Sequence, residues 1–204
     1  MNKQHIAIAL AELARIDSDV ARALESVGLP EPRIRPQGFE TLLSTIVSQQ
    51  ISTQAAKAIM GRVRALLPQP SAAAILALED KTLREAGLSF RKIEYAKGLA
   101  QAVQSGHLDI VGLAAASNEE AIETIMTLRG FGRWSAEIYL MFSLQREDIF
   151  PADDLALQVA LGRLKNLDQK PTPKQASILI EHWSPWRSAG SLFLWHYYRG
   201  APNA

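Results

Sequence analysis

Two glycines, Gly130 and Gly132, lie between two amphipathic helical patterns and constrain the fold more than any other feature of the sequence. Apolar residues recur at helical spacing on both sides of them, at Ile122, Ile125 and Leu128 upstream and at Ala136, Tyr139, Leu140 and Phe142 downstream. Glycine permits the positive φ angles and close backbone approach that a short turn between helices needs. The sequence therefore predicts a helical hairpin over about residues 118–144, opened by a capping box at Ser117.

The second helix of this hairpin would begin with backbone N–H groups and the positive end of the helix dipole, which together favour an anion. Arg129 and Arg133 flank the loop and add positive charge. A phosphodiester fits such a site, and contacts of this kind hold a nucleic acid without reading its sequence. A glycine pair between helices also serves as a tight turn alone, so both interpretations stay open at this point. A dinucleotide fingerprint and a P-loop are excluded by the missing strand and the missing Gly-Lys-Ser/Thr.

Helical periods run through the rest of the chain, and no convincing alternating pattern of a strand is found. The sequence thus predicts an all-α protein of about ten helices. One amphipathic helix is expected over residues 3–26, and three prolines mark a loop at residues 30–36. Ser89 is expected to cap a helix, and Thr172 opens another with a capping box and a proline at the first helical position.

Composition excludes several kinds of chemistry. The 204 residues include no cysteine, which excludes disulfides, thiolate zinc sites, cysteine nucleophiles and cysteine-ligated iron–sulfur clusters. The formal net charge is +1, so any surface for nucleic acid must come from uneven placement of charge. No uninterrupted apolar run of about 18 residues and no signal-peptide pattern is found, so we expect a cytoplasmic protein without a transmembrane helix.

A second short signal, Pro151-Ala152-Asp153-Asp154, opens another helix. One carboxylate can accept backbone N–H bonds as a cap while the other projects toward a ligand, and the positive end of the helix favours negative charge there. A plain cap with an acidic first turn is the commoner explanation of such a pair taken alone. No second carboxylate lies at helical spacing from the pair, so an acid/base pair of the glycosidase kind is not indicated.

Four tryptophans are placed unevenly along the chain. Trp134 begins the second hairpin helix, whereas Trp183, Trp186 and Trp195 crowd the C-terminal helices. Core packing is one explanation. The other is an aromatic box, in which electron-rich rings hold a flat cationic or electron-poor ligand. Trp134 is the strongest candidate for the second role because it lies beside the proposed phosphate site.

Together these motifs are similar to those of one family. The segment Leu128-x-Gly130-x-Gly132-Arg133-Trp134-Ser135-Ala136, followed by Pro151-Ala152-Asp153-Asp154, resembles the helix–hairpin–helix DNA glycosylases of the GPD superfamily. The Gly-Arg-Trp form and the spacing to Asp-Asp are similar to the 3-methyladenine DNA glycosylase II (AlkA-like) branch. Three further segments agree with this branch, at residues 46–52, 87–89 and 183–188.

The resemblance implies two helical subdomains with the DNA-binding and active-site cleft between them. Residues 39–146 would form one subdomain, and residues 1–38 plus 147–204 the other. The chain is too short for the extra N-terminal β domain of some relatives, so the compact all-helical form is expected. The expected partner is duplex DNA containing alkylated bases, bound by a monomer with no membrane association.

The resemblance also assigns roles by motif position. Asp154 matches the catalytic aspartate, and Trp134 and Trp195 match aromatic residues of the base pocket. Glu137, about one turn into the second hairpin helix, is a candidate for base selectivity.

The remaining assignments concern the DNA backbone. Gly130, Gly132 and Arg133 would hold phosphates, and Gln50, beside Ile51, matches the wedge that fills the gap left by a flipped nucleotide, where relatives often carry leucine. The backbone carbonyls of the hairpin match a structural Na⁺ or K⁺ site, and no other cofactor is expected. Those carbonyls belong to Met126, Leu128 and Phe131.

One departure from the family pattern concerns the chemistry. Relatives that also cut the strand carry a lysine on the hairpin, but Trp134 stands at that position, and no lysine occurs between Gln101 and Lys165. This indicates a monofunctional enzyme that uses water. The resemblance implies a glycosylase that excises alkylated purines, with 3-methyladenine and 7-methylguanine as candidate substrates. Two alternatives stay open: a non-catalytic hairpin protein that only binds DNA, and a glycosylase for a neutral lesion such as uracil.

Overall fold

The computed structural model describes residues 1–200, and this part of the chain is built of α-helices and two short 3-10 turns, with no strand. The twelve helices are α1 (Lys3–Ile16), α2 (Ser18–Val27), α3 (Phe39–Ser48), α4 (Thr53–Leu66), α5 (Ala72–Ala77), α6 (Asp80–Glu85), α7 (Phe90–Gln104), α8 (Asn118–Met126), α9 (Arg133–Phe142), α10 (Leu155–Leu164), α11 (Pro173–Leu179) and α12 (Arg187–Gly200). The predicted all-α class is confirmed. Within residues 1–200, none of the helices is long and apolar enough to cross a membrane.

The chain forms two compact units. Both chain ends, Met1–Ile34 and Leu140–Ala204, make one unit, and Arg35–Tyr139 makes the other. The second boundary therefore falls within α9. Both boundaries come earlier than those predicted from the sequence, and the predicted cleft between subdomains stays a prediction.

In the unit Arg35–Tyr139, α7 is the central helix and packs against α3, α5 and α6. The predicted cap is confirmed, because the Ser89 hydroxyl accepts a hydrogen bond from Lys92 N at 3.2 Å. Apolar residues at helical spacing along α7 are buried, at Ile93, Ala96, Leu99 and Ala100.

In the unit of the two chain ends, α12 packs against α10, α1 and α2. Trp183 is fully buried in its core, and its ring lies so close to Gly190 that a Cβ there would be 2.5 Å from the ring. Core packing is therefore the correct interpretation of Trp183. The capping box predicted at Thr172 is confirmed at the start of α11.

The prediction of a single helix over residues 3–26 is wrong, because Asp17 separates α1 from α2. Asp17 has an extended backbone, with φ −137°, and its carboxylate accepts hydrogen bonds from Asp19 N and Val20 N. An apolar periodicity does not reveal such a break, because the helices on both sides bury their apolar faces in the same unit. The break arises from the capping preference of one aspartate.

The carboxylate of Asp17 is also the centre of a buried polar cluster. Lys165 Nζ lies 2.7 Å from both oxygens, Trp183 Nε1 donates at 2.7 Å, and His182 Nε2 lies at 3.1 Å. Burial alone would raise the pKa of Asp17, but the hydrogen bonds from Lys165 and Trp183, the charge of Lys165 and the contact with His182 together lower it to about 2. This cluster ties the start of α2 to the end of α10 and to the 3-10 turn before α12.

Stability in acid should report this cluster. The pKa of Asp17 is lower in the folded protein, about 2, than its ordinary value of 3.8, so its contribution is complete above about pH 4 and is lost as the pH falls toward 2. We expect the free energy of unfolding of the wild type to fall by about 2 kcal/mol more than that of Asp17→Asn between pH 5 and pH 2. Urea titrations at both pH values measure this difference. An equal fall in both proteins would show that proton binding by Asp17 is not linked to folding.

Candidate functional site

The predicted helical hairpin is confirmed as α8, a six-residue connection and α9. Ser117 and Glu120 form the expected capping box at the start of α8, with Glu120 Oε2 accepting from Ser117 N at 2.8 Å. Within the connection, Phe131 N donates to the Leu128 carbonyl at 3.1 Å. The first hydrogen bond of α9 runs from Ala136 N to the Gly132 carbonyl, also at 3.1 Å, so α9 begins directly after the second glycine.

The two glycines of the hairpin serve different purposes. Gly130 has φ +93°, and a Cβ there would lie 2.3 Å from the ring of Tyr95. At Gly132, by contrast, a Cβ would meet nothing within 4 Å, and the residue is exposed. Gly130 is therefore required by the fold, whereas Gly132 leaves the backbone at the start of α9 open to a ligand.

The turn between α3 and α4 is tied to the same hairpin. Gln49 Nε2 donates to the Gly130 carbonyl at 2.6 Å. The neighbouring Gln50 is exposed and has φ +56°, an uncommon conformation for a residue with a side chain, and Ile51 is 37% exposed. The predicted wedge residue Gln50 and its neighbour Ile51 thus lie on a turn that Gln49 fixes to the glycine loop.

Helix α7 supports both of these turns. Lys92 Nζ donates to the carbonyl of Val47 near the end of α3 at 2.7 Å, and burial lowers the pKa of Lys92. Three residues later, Tyr95 packs on Gly130. Sequence reasoning missed Gln49, Lys92 and Tyr95, because their partners lie 35 to 81 residues away in the chain.

The two arginines that flank the glycines are paired with exposed carboxylates. Arg129 forms an ion pair with Glu94, and Arg133 forms one with Glu119. Arg133 Nη1 also lies 3.6 Å from Glu137 Oε1. The hydrogen bond to Glu119, assisted by the charges of both glutamates and opposed by burial, raises the pKa of Arg133.

Trp134 and Glu137 lie one turn apart on α9, in the unit Arg35–Tyr139. The indole of Trp134 is 42% exposed, whereas Glu137 is only 6% exposed. Glu137 is therefore a buried carboxylate whose charge is balanced by Arg133. Its predicted role in base selectivity stays a prediction.

The carbonyls predicted to hold a monovalent cation lie around the same connection. The Leu128 carbonyl accepts from Phe131 N, whereas those of Met126 and Phe131 accept no hydrogen bond from the residues that the structure describes. Carbonyl oxygens without a donor are suitable ligands for a hard cation such as Na⁺ or K⁺. The donor set therefore fits the expected ion.

In the other unit, Asp154 is the N-cap of α10. Its Oδ1 accepts a hydrogen bond from Leu157 N at 3.0 Å and another from Trp195 Nε1 at 3.2 Å. Asp153 is exposed, whereas Asp154 is partly buried. The cap and the contact with a predicted pocket aromatic are therefore made by the same carboxylate.

Trp195 lies in a small aromatic cluster. Its ring centroid is 5.8 Å from that of Phe142, and the guanidinium carbon of Arg33 is 4.9 Å from the centroid of Phe142. Such a cation–π contact restricts the orientation of both groups. Among the C-terminal tryptophans, Trp195 is thus bonded to Asp154, Trp183 to Asp17, and Trp186 contacts His5.

The segment that leads into the Asp154 turn is fixed to the start of α12, the helix that carries Trp195. Ile149 N donates to the Ser188 hydroxyl at 3.0 Å, and Ser188 N donates to the Glu147 carbonyl at 2.9 Å. Between them, Asp148 forms an ion pair with Arg187. Sequence reasoning did not find this clamp. The available signal was Ser188, a serine in the largely apolar pattern of α12, which indicates a buried hydroxyl that needs a hydrogen-bond partner.

The match to known proteins agrees with this arrangement. A family model described as HhH-GPD superfamily base excision DNA repair protein matches residues 43–185, which include the hairpin and Asp154. The chain belongs to this superfamily. The resemblance inferred from the motifs is therefore confirmed for most of the chain.

Individual members of the superfamily show the extent of the similarity. DNA-3-methyladenine glycosylase 1 of Schizosaccharomyces pombe is 33% identical over 190 residues, covering 90% of this chain and 83% of that protein. DNA-3-methyladenine glycosylase 2 of Escherichia coli is 26% identical over 189 residues, covering 85% of this chain and 64% of that protein. A structure of the S. pombe 3-methyladenine DNA glycosylase Mag1 in complex with abasic DNA superimposes with a TM-score of 0.85 at 31% identity, covering 96% of this chain and 98% of that one.

Substitution of the two glycines by alanine should separate their roles. Gly130→Ala should lower the free energy of unfolding by about 2–4 kcal/mol, because it combines a strained φ angle with a clash against Tyr95. Gly132→Ala should change it by less than about 0.5 kcal/mol, because its Cβ meets open space. Urea unfolding of both variants measures the difference. Comparable losses in the two variants would contradict the assignment of Gly130 as the structural glycine.

Proposed function

We propose that this protein is a monofunctional DNA glycosylase that flips alkylated purines out of duplex DNA and hydrolyses their N-glycosidic bond. The observation that carries the proposal is the carboxylate of Asp154, held at the start of α10 by Leu157 N and Trp195 Nε1. The names of its relatives, 3-methyladenine glycosylases, support the substrate class. A water molecule replaces the base and leaves an abasic site.

The main requirement of this reaction is to stabilise the positive charge that develops on the sugar as the base leaves. A base alkylated at N3 or N7 carries a positive charge, which makes it a good leaving group and a good guest for electron-rich rings such as Trp195 and Trp134. As the bond breaks, the sugar becomes oxocarbenium-like. The carboxylate of Asp154 stabilises that charge and orients or deprotonates the attacking water.

The hairpin supplies the grip on the DNA backbone. Backbone N–H groups at the exposed Gly132 and the start of α9 donate hydrogen bonds to a phosphate, with Arg129 and Arg133 on either side. A Na⁺ or K⁺ ion held by the hairpin carbonyls would add positive charge beside that phosphate. Gln50, with Ile51 beside it, fills the gap left by the flipped nucleotide. The protein acts on DNA as a cytoplasmic monomer.

Asp154→Asn tests the catalytic step without removing the helix cap, because asparagine caps helices as well as aspartate does. We expect release of 3-methyladenine and 7-methylguanine from duplex DNA to slow by at least about a hundredfold, while binding of that DNA is kept. Wild-type enzyme should leave abasic strands that are cut only after heating in alkali. The matched control, Asp153→Asn, removes the exposed neighbouring charge and should keep the wild-type rate.

Other outcomes of this experiment identify the alternatives. Binding of DNA without release of any base by wild-type protein would favour a non-catalytic hairpin module. Release of uracil instead of methylated purines would favour a glycosylase for neutral lesions. An unchanged rate in Asp154→Asn would show that the carboxylate takes no part in the reaction.

Glu119→Gln tests the phosphate grip. Glu119 and a DNA phosphate compete for the guanidinium of Arg133, so loss of the carboxylate should strengthen binding of undamaged duplex DNA by about threefold to tenfold at low salt. Glu123→Gln removes the same charge from an exposed position on α8 and is the matched control. Fluorescence anisotropy across a salt series measures both. Equal effects of the two substitutions would show that the gain in affinity comes from net charge alone, and would contradict a role for Arg133.

A further inference from the structure

Gln158 has a buried side-chain amide that contacts the turn carrying Asp154. It lies one helical turn after Asp154 on α10 and is only 5% exposed. Its backbone N donates to the Asp154 carbonyl at 3.0 Å, and its side-chain Nε2 donates to the Ala152 carbonyl at 2.8 Å. One residue therefore holds the backbone on both sides of Asp153.

Lys170 completes this connection from the loop after α10. Its Nζ donates to Gln158 Oε1 at 3.0 Å. The loop can approach α10 because residue 162 is glycine: a Cβ there would lie 3.3 Å from Lys170 Cα and 3.4 Å from Pro171 Cδ. A larger side chain at Gly162 would push the loop, and with it the ammonium group, away from Gln158.

The contacts leave the amide of Gln158 a single orientation. An ammonium group can only donate and a backbone carbonyl can only accept, so Oε1 must face Lys170 and Nε2 must face Ala152. The turn itself is closed by a hydrogen bond from Asp154 N to the Pro151 carbonyl at 2.9 Å. The peptide that precedes Asp153 is thereby fixed, and the direction in which Asp154 leaves the turn is fixed with it.

We propose that Gln158 and Lys170 are positioning residues for the catalytic carboxylate: Lys170 orients the Gln158 amide, which holds the Ala152 carbonyl and so aims Asp154 at the sugar. This inference rests on the proposed glycosylase function. A carboxylate that stabilises a developing charge loses its effect when it is displaced by about 1 Å. The hydrogen bond from Gln158 to the Ala152 carbonyl, two residues before Asp154, should therefore affect the rate more than the fold.

The test compares variants in single-turnover excision of 7-methylguanine from a duplex oligonucleotide. Gln158→Leu keeps the approximate volume and removes both polar ends, and Lys170→Met keeps the apolar stem and removes the donor. We expect rates to fall about tenfold to a hundredfold in the first and about threefold to tenfold in the second. The dissociation constant for DNA with a stable abasic analogue should stay within about twofold of wild type.

Two further variants separate positioning from charge. Lys170→Arg keeps a donor and should retain most of the wild-type rate. Lys174→Met removes an exposed lysine from the neighbouring helix α11 and should leave the rate unchanged. A Lys170→Met rate equal to that of Lys174→Met would overturn the role of Lys170.

A double variant tests whether the brace acts through Asp154. If it does, Asp154→Asn combined with Gln158→Leu should retain the same residual rate as Asp154→Asn alone, because the group being aimed is already lost. Two results would instead assign Gln158 a structural role alone. In one, the rate losses of the two single variants multiply in the double variant. In the other, the Gln158→Leu rate falls only in proportion to the fraction of folded protein and the affinity for DNA. Failure of the proposed function is distinguishable, since wild-type protein would then excise nothing or Asp154→Asn would excise at the wild-type rate.

Discussion

The first turn of an α-helix leaves backbone N–H groups without partners inside the helix, and both candidate functional segments are located where this occurs. At α10 the need is met by a side chain, because Asp154 accepts from Leu157 N. At α9 the residue before the helix is Gly132, which has no side chain with which to accept. The same backbone constraint thus explains the carboxylate at one helix start, and at the other we propose a DNA phosphate.

Each of these helix starts is fixed by a helix that is distant in sequence. In the unit Arg35–Tyr139, α7 supports the glycine loop through Tyr95 and the end of α3 through Lys92. In the unit of the chain ends, α12 contributes Ser188 to the segment before the Asp154 turn and Trp195 to the carboxylate itself. A site for DNA chemistry requires groups held to fractions of an ångström, and helices provide that precision better than loops do.

The features that could be predicted from sequence are the local ones. The caps at Ser89, Ser117 and Thr172 depend on residues within one turn of each other, the all-α class and the hairpin were predicted from apolar spacing along single helices, and all are confirmed. The features that were missed depend on partners far along the chain. The cap at Asp17 is local, but nothing nearby in the sequence shows that its carboxylate is also held by Lys165 and Trp183, which are 148 and 166 residues away.

The same limit applies to the candidate site. Motifs indicated Asp154 and Trp195, and the structure joins them by a hydrogen bond. Gln158 and Lys170 carry no motif, and the segment that contains Gln49 assigns that residue no role, because an amide or an ammonium becomes informative only when its acceptor is known. Their acceptors are backbone carbonyls or another amide, groups that every sequence contains. Such braces are therefore found from coordinates and not from residue types.

Charge placement explains how a protein of net charge +1 can bind a polyanion. The arginines of the hairpin are not left alone at the surface, since Arg129 and Arg133 are paired with Glu94 and Glu119. Exposed pairs of this kind contribute only about 0–1 kcal/mol, so a phosphate that also receives backbone N–H bonds competes well for the same guanidinium groups. The pairs hold the arginines beside the glycine loop, and the proposed phosphate contact has to displace the carboxylates. In the proposed function the pairs also lower the average positive potential of the hairpin, which would weaken attachment to undamaged DNA and suit an enzyme that has to leave most of the sites it visits.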